Sequence, residues 1–464
     1  MLVVNAALLG VLWPFGGDDE PKSERGTIGR LEERDIEFKE SPDVVDGAAL
    51  AREQYRRFLE LSEGNAELRS EAARRLGDLS MLAGEGASFD GQTATEKKFY
   101  TEAIELYLGL LAQKSSYESK DLVLYQLARA YEATSETEQA LGILDRVVAE
   151  YPQSPYVDEA QFRRGEILFL HKRYAEAESA YSGVVRAGRD SSFYQQALYK
   201  YGWAQFKQGS HEASLRPFMD LLDLRLAAVG ESDSYAVLDK MSRAERELVD
   251  DTFRVLSISF SYLDGVESID RLMQTRSDHS YADMLYGGLG DLYIDKERYT
   301  DAAETYAGFV AGQPTHRRSP ALQVKVVEAY TLGKFPSLVL DAKQDFIRLY
   351  GLDTAFWTGR TPAEHPEVVA YLKENLTDLA SYDHARAQKD DDAQAYERAA
   401  DWYRRYLRYF PEDQHATLAP EFVEELDNYG RIYMYRFKPD YQMYARMVLH
   451  PRTHRYYSID PAGR

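Results

Sequence analysis

The chain has 464 residues, too many for one ordinary globular core, so several domains or one long array are expected. Its formal charge of −21 repels phosphate backbones and argues against nucleic acid as a general partner. Cysteine is absent, which excludes disulfides, thiolate nucleophiles and Cys-ligated zinc or iron–sulfur clusters, while 44% hydrophobic residues supply enough apolar surface to fold.

The first 17 residues open on a short apolar run, Leu2 to Trp13, closed by Pro14 and Gly16-Gly17. It is shorter than the ~20 residues that cross a bilayer. It has the length of a signal-peptide core but lacks a basic beginning and a small-x-small cleavage site. Two readings stay open, an export signal and an unstructured hydrophobic start, with export slightly preferred. Residues 18–44 read as a linker.

From 45 to 228 the sequence repeats itself. Copies begin at Asp121, Asp158 and Gln195, and a fourth follows at Asp283. Each carries a small residue on a first helix: Ala128, Gly165, Gly202 and Gly290. Twelve residues later a second small residue stands on a second helix: Ala140, Ala177, Ser214 and Ala302. Four residues beyond comes a bulky one: Leu144, Tyr181, Phe218 and Tyr306. The step between the first three copies is 37 residues. Apolar spacing at i, i+3, i+4 and i+7 makes both segments amphipathic helices. Small residues let the two backbones close, and the bulky residue fills the groove beside them. A lone hairpin cannot bury its apolar face, so the unit must stack. Pro152 and Pro314 fall where the second helix must end. The stretch Tyr151-Pro152-Gln153-Ser154-Pro155-Tyr156 is then the seam between two units.

Weaker copies flank these. Leu76-Gly77 goes with Ala103 and Tyr107, stretched by 82-LAGEGASFDGQTATEK-97, which reads as an exposed loop. Residues 229–282 read as linkers and a degenerate helix pair with Ser242 as N-cap. Residues 283–412 hold further copies, including 322–350 and a pair built on Ala380, Ala399 and Tyr403. These are separated by a linker at 351–367 and an acidic loop at 388–394. Residues 413–464 form a basic, aromatic tail without the repeat grammar.

The grammar resembles the tetratricopeptide repeat, carried by Leu127-Ala128, Tyr131, Ala140 and Pro152 in one copy and by Leu289-Gly290, Tyr293, Ala302, Tyr306 and Pro314 in another. The resemblance implies an all-α fold, a right-handed superhelical array (α-solenoid) of helical hairpins. The Tyr-Pro seam is similar to that of bacterial envelope-associated repeat proteins, although no lipid-accepting Cys is present. It implies a protein or peptide partner, association with envelope complexes, and a periplasmic or envelope location, with a cytoplasmic one as the alternative. It also implies a concave face lined by the first helices: Tyr125, Arg129 and Glu132; Phe162, Glu166 and Phe169; Tyr199, Trp203, Phe206 and Lys207; Asp291 and Ile294. The rings among them are either binding hot spots or packing between repeats.

Catalytic patterns do not survive inspection. His211-Glu212 begins like a zinc-protease motif, but Leu215 stands where the second His is needed. His450 and His454 flank Pro451, which disfavours the helix that their spacing requires. Gly288-Leu289-Gly290 lacks the third glycine and the preceding strand of a phosphate-binding turn. No enzyme, cofactor or metal is expected. The chain reads as a scaffold, or as a helical accessory subunit of an envelope machine whose active part is another chain.

Overall fold

The small and bulky positions meet as pairs of antiparallel helices. In the computed structural model the described residues are 47–61, 66–89, 91, 93–113, 117–226, 234–276, 280–390 and 392–413, with backbone also at 446–449 and 456–459. The N-terminal apolar run and most of the basic tail lie outside them. The array opens with α1 (Gly47–Leu61), α2 (Ala66–Phe89) and α3 (Thr93–Ala112). Regular hairpins follow: α4 (Lys120–Ala133) with α5 (Thr137–Glu150), α6 (Val157–Leu170) with α7 (Tyr174–Ala187), and α8 (Tyr194–Lys207) with α9 (His211–Leu226). An irregular stretch holds α10 (Ser234–Lys240), α11 (Arg243–Tyr262) and the short α12 (Val266–Gln274). Hairpins resume with α13 (Ala282–Asp295) and α14 (Tyr299–Gly312), α15 (Ser319–Leu332) and α16 (Pro336–Tyr350), then α17 (Pro366–Asp390) and α18 (Ala393–Tyr409). Each helix packs mainly on its sequence neighbours, while α11 bridges α9 and α13. Two short strands, Arg446–Leu449 and Tyr456–Ile459, pair antiparallel outside the helices.

The contact that closes most of these hairpins is a glycine against a ring. A Cβ added at Gly165 would lie 2.5 Å from the Tyr181 ring, at Gly202 2.8 Å from Phe218, and at Gly290 2.2 Å from Tyr306. The α4–α5 hairpin carries Ala128 instead of glycine, and its partner is the smaller Leu144; both are fully buried. Volume is thus conserved across the contact, as close packing demands.

The turn inside five of the hairpins is equally regular. Ser135, Lys172, Gly209, Glu297 and Lys334 have φ of 64, 61, 78, 58 and 58°. Each lets the next amide donate back five residues, as Arg173 does to the Leu168 carbonyl at 2.9 Å. This closes the first helix with a Schellman-type cap. The α15–α16 hairpin keeps this turn although Val327 and Lys343 stand at its small and bulky positions.

Three expected loops are structured. The described residues of 82–97 belong to the end of α2 and the start of α3, with Gly91 in the turn between them, not to a long loop. Gly84 and Tyr100, 16 residues apart like the other pairs, make the hairpin contact there, with a Cβ-to-ring distance of 2.7 Å. Gly77 and Tyr107 repeat it one heptad away from the turn, also at 2.7 Å. The expected acidic loop at 388–394 is mostly helix, since α17 runs to Asp390 and α18 begins at Ala393 with Asp392 as its N-cap. The expected linker 351–367 is packed: Phe356 and Trp357 are buried, and the Trp357 indole donates to the Tyr350 carbonyl at 2.9 Å. Ser242 does cap α11, in a capping box with Glu245.

Two outcomes follow from this packing. Gly165→Ala forces a methyl against a buried ring and should cost about 1–3 kcal/mol in urea denaturation. Adding Tyr181→Leu, which recreates the Ala128–Leu144 pairing, should cost less than the sum of the two single changes. At the turn, Lys172→Gly should raise stability by about 1 kcal/mol, and Gly209→Ala should lower it similarly, because a Cβ is strained at positive φ.

Candidate binding surface

The first helices of the pairs carry a recurring polar arrangement beside the glycine–ring contact. Glu166 follows Gly165 and Asp291 follows Gly290. The Tyr181 hydroxyl donates to Glu166 at 2.5 Å, and the Tyr306 hydroxyl donates to Asp291 at 2.6 Å. A lysine from the next hairpin's first helix completes each site: Lys200 to Glu166 at 2.9 Å, Lys325 to Asp291 at 2.7 Å. The spacing is the same in both, with the tyrosine 15 and the lysine 34 residues after the acid. The N-terminal hairpin keeps half of it, with Tyr107 donating to Asp78 at 2.7 Å. Burial, then the adjacent carboxylate, pushes the Tyr181 and Tyr306 hydroxyls well above their ordinary range, so both remain donors. Glu166 and Asp291, expected from sequence on the groove, therefore tie each hairpin to the next. The lysines were not singled out, though the acid-after-glycine spacing could have found them.

The α4–α6 interface makes the link differently. Glu132 accepts from Arg163 at 2.6 Å, and Arg163 also binds Glu159 at 2.7 Å. Burial raises Glu132 above the usual carboxylate range against the pull of Arg163. Arg129 reaches back to Glu85 at 2.6 Å. Tyr125 is only 6% exposed and stacks on Tyr156 of the seam at 4.8 Å, with ring planes 11° apart. Ser154 of the same seam donates to Asp121 at 2.7 Å. The seam residues thus pack one hairpin on the next.

The aromatic candidates gather on α6 and α8. Phe162 lies between Tyr181 and Phe193, at 5.9 and 5.3 Å. Phe169 meets the Tyr174 ring at 5.2 Å, with the Lys200 ammonium 5.6 Å from its centroid. Tyr199 donates to Asp251 of α11 at 2.5 Å, and burial pushes its hydroxyl up to about 12. Trp203 packs edge-on against Phe206 and Phe218, at 5.3 and 6.3 Å. Its indole nitrogen is buried with no hydrogen-bond partner among the described residues. Phe206 in turn meets His211, which stacks on the exposed Tyr262 ring at 4.5 Å. Lys207 is exposed, with its ammonium 5.4 Å from the Trp203 centroid. Ile294 is half-buried against the core. The rings are therefore half-buried at repeat interfaces, with Lys207 and Tyr262 at the solvent edge of the cluster.

Among the described residues no group of three or more His, Asp or Glu is placed to hold a metal, and no helix is long and apolar enough to cross a membrane. His211 begins α9 inside the aromatic cluster, and Gly290 is occupied by the Tyr306 contact. His450 and His454 lie outside the described residues.

This geometry is that of an α-solenoid of tetratricopeptide-type hairpins. The tetratricopeptide-repeat family model matches residues 125–192, from α4 to the turn before α8. Solved structures similar to this chain include a tetratricopeptide repeat-containing protein from Cytophaga hutchinsonii, at 9% identity, covering 65% of this chain and 90% of that one with a TM-score of 0.34. Another, from Parabacteroides merdae, has 13% identity, covers 64% and 98%, and has a TM-score of 0.28. Curated proteins that match short segments include human urocanate hydratase, at 62% identity over 42 residues, and a urocanate hydratase of Dictyostelium discoideum, at 62% over 40. The chain spans only 6% of the length of each of those enzymes.

Tyr181→Phe and Glu166→Gln each remove one member of the three-part link. Each should cost about 0.5–1.5 kcal/mol in chemical denaturation. The double variant should cost less than their sum, because both act on one contact. Strict additivity would show that hydroxyl and carboxylate do not interact.

Proposed function

We propose that the chain is a non-catalytic scaffold that binds a protein or peptide partner along the concave face formed by its first helices, in a bacterial cell envelope. The observation that carries this reading is the run of stacked hairpins around the tetratricopeptide match at 125–192. An extended helical surface suits an extended or helical peptide. The aromatic edge on α8 with Lys207 offers residue types that dominate binding hot spots. The envelope setting rests on the Tyr-Pro seam and the apolar N-terminal run in the sequence.

The test is site-specific photo-crosslinking in cells with the full chain. A crosslinker at Phe169 or Lys207 should trap one discrete partner, whereas one at Arg216, which is 86% exposed on a second helix, should not. Crosslinking only from Arg216, or from none of the three, would overturn the surface assignment. Fractionation of the same cells tests the location. Recovery with the periplasmic or membrane fraction supports the envelope reading, and recovery only in the cytosol overturns it.

A further inference from the structure

The chain is strongly acidic, yet one cleft in it is lined by arginines. It opens where the regular array meets the irregular stretch, between the α7–α8 turn, the end of α9 and the start of α11. Its volume is about 640 Å³, within the range of sites for small ligands. Arg189, Ser191 and Ser192 line it from the turn, Arg225 from α9 and Glu245 from α11, over the apolar side chains of Leu224 and Leu248.

The charges in the cleft do not cancel. Arg225 donates through Nη1 to one oxygen of Glu245 at 3.1 Å. The other oxygen of Glu245 is held by the backbone and hydroxyl of Ser242, at 3.0 and 2.7 Å, in the α11 capping box. Glu245 is thus largely engaged by the helix cap. Arg189 makes no ion pair among the described residues. Two arginines and two serines thus line the cleft against a single, already engaged carboxylate. Planar guanidinium forks match carboxylate and phosphate oxygens, and apolar walls strengthen such bonds by excluding water.

We propose that this cleft binds a small molecule through an oxyanion, a carboxylate or phosphate group held by Arg189 and Arg225. The site is separate from the aromatic edge of α8 and does not depend on the scaffold reading.

The experiment is isothermal titration of the full chain with inorganic phosphate and with succinate, each against sodium chloride at matched ionic strength. Saturable binding of one or both probes above the chloride control is expected, and the probe that binds identifies the group. Arg189→Gln, a change in a surface turn, should weaken binding about tenfold, the loss of roughly one charge-assisted hydrogen bond. Arg225→Gln should weaken it at least as much. Glu245→Gln, which keeps the capping box, should tighten it by removing the competing carboxylate. If Arg225→Gln does not fold, Arg189→Gln and Glu245→Gln decide. Absence of saturable binding by either probe overturns the proposal, and so does unchanged affinity in Arg189→Gln.

Discussion

The structure depends on the approach of two backbones at a glycine covered by a ring. At Gly165, Gly202 and Gly290 there is no room for a side chain, and the Tyr181, Phe218 and Tyr306 rings lie where one would be. That approach fixes the distance between the two helices of a hairpin. In the two tyrosine pairs it also brings the hydroxyl to a carboxylate on the facing helix, and the carboxylate to a lysine of the next hairpin. One packing contact therefore sets both the shape of the unit and the polar link that joins units. Burial makes the link directional. A tyrosine whose hydroxyl is pushed well above its ordinary range stays protonated and donates, so the acid beside it is held as an acceptor for the neighbour's cation.

Much of this was legible in the sequence, because the contact needs particular residue types at particular spacings. Gly165 with Tyr181 and Gly290 with Tyr306 are readable because a side chain at either glycine would collide with the ring that stands 16 residues later. The N-terminal hairpin was misread for a related reason. Its glycine-rich segment has the composition of an exposed loop, yet Gly84 is in helix and meets Tyr100 at the usual spacing of 16 residues. Composition signalled a turn, but packing decided. The α15–α16 hairpin shows the converse. Val327 and Lys343 carry no small–bulky signal, and the positive φ at Lys334 that closes its turn is not encoded by residue type. The linker at 351–367 was misjudged because two aromatic residues among turn formers do not reveal that Phe356 and Trp357 fold back into the core.

The candidate surface was legible in part. The sequence places the right residue types on the first helices, but periodicity cannot separate an exposed ring from one packed between repeats. Tyr125 is spent on the seam, Glu166 and Asp291 on the links between hairpins, and Tyr199 on Asp251. The solvent edge left by these commitments is Lys207, beside the half-buried Trp203 and Phe206 and the exposed Tyr262. The arginine cleft was invisible in sequence, because Arg189, Arg225 and Glu245 converge only after α11 folds across α9. The seam itself is the plainest case: Tyr156 stacks on Tyr125 and Ser154 donates to Asp121, so both pack one hairpin on the next.

A scaffold of this kind is one continuous array only if the irregular stretch carries the packing across. One buried apolar cluster runs from Leu215 through α11 to Phe410, which predicts that it does. Hydrogen exchange of the full chain, read by mass spectrometry, measures this directly. Amides in the core turns of α9, α11 and α13 should exchange together, with the same dependence on denaturant. Rapid exchange of α11 while α9 and α13 remain protected would contradict a continuous array and leave two separate repeat blocks.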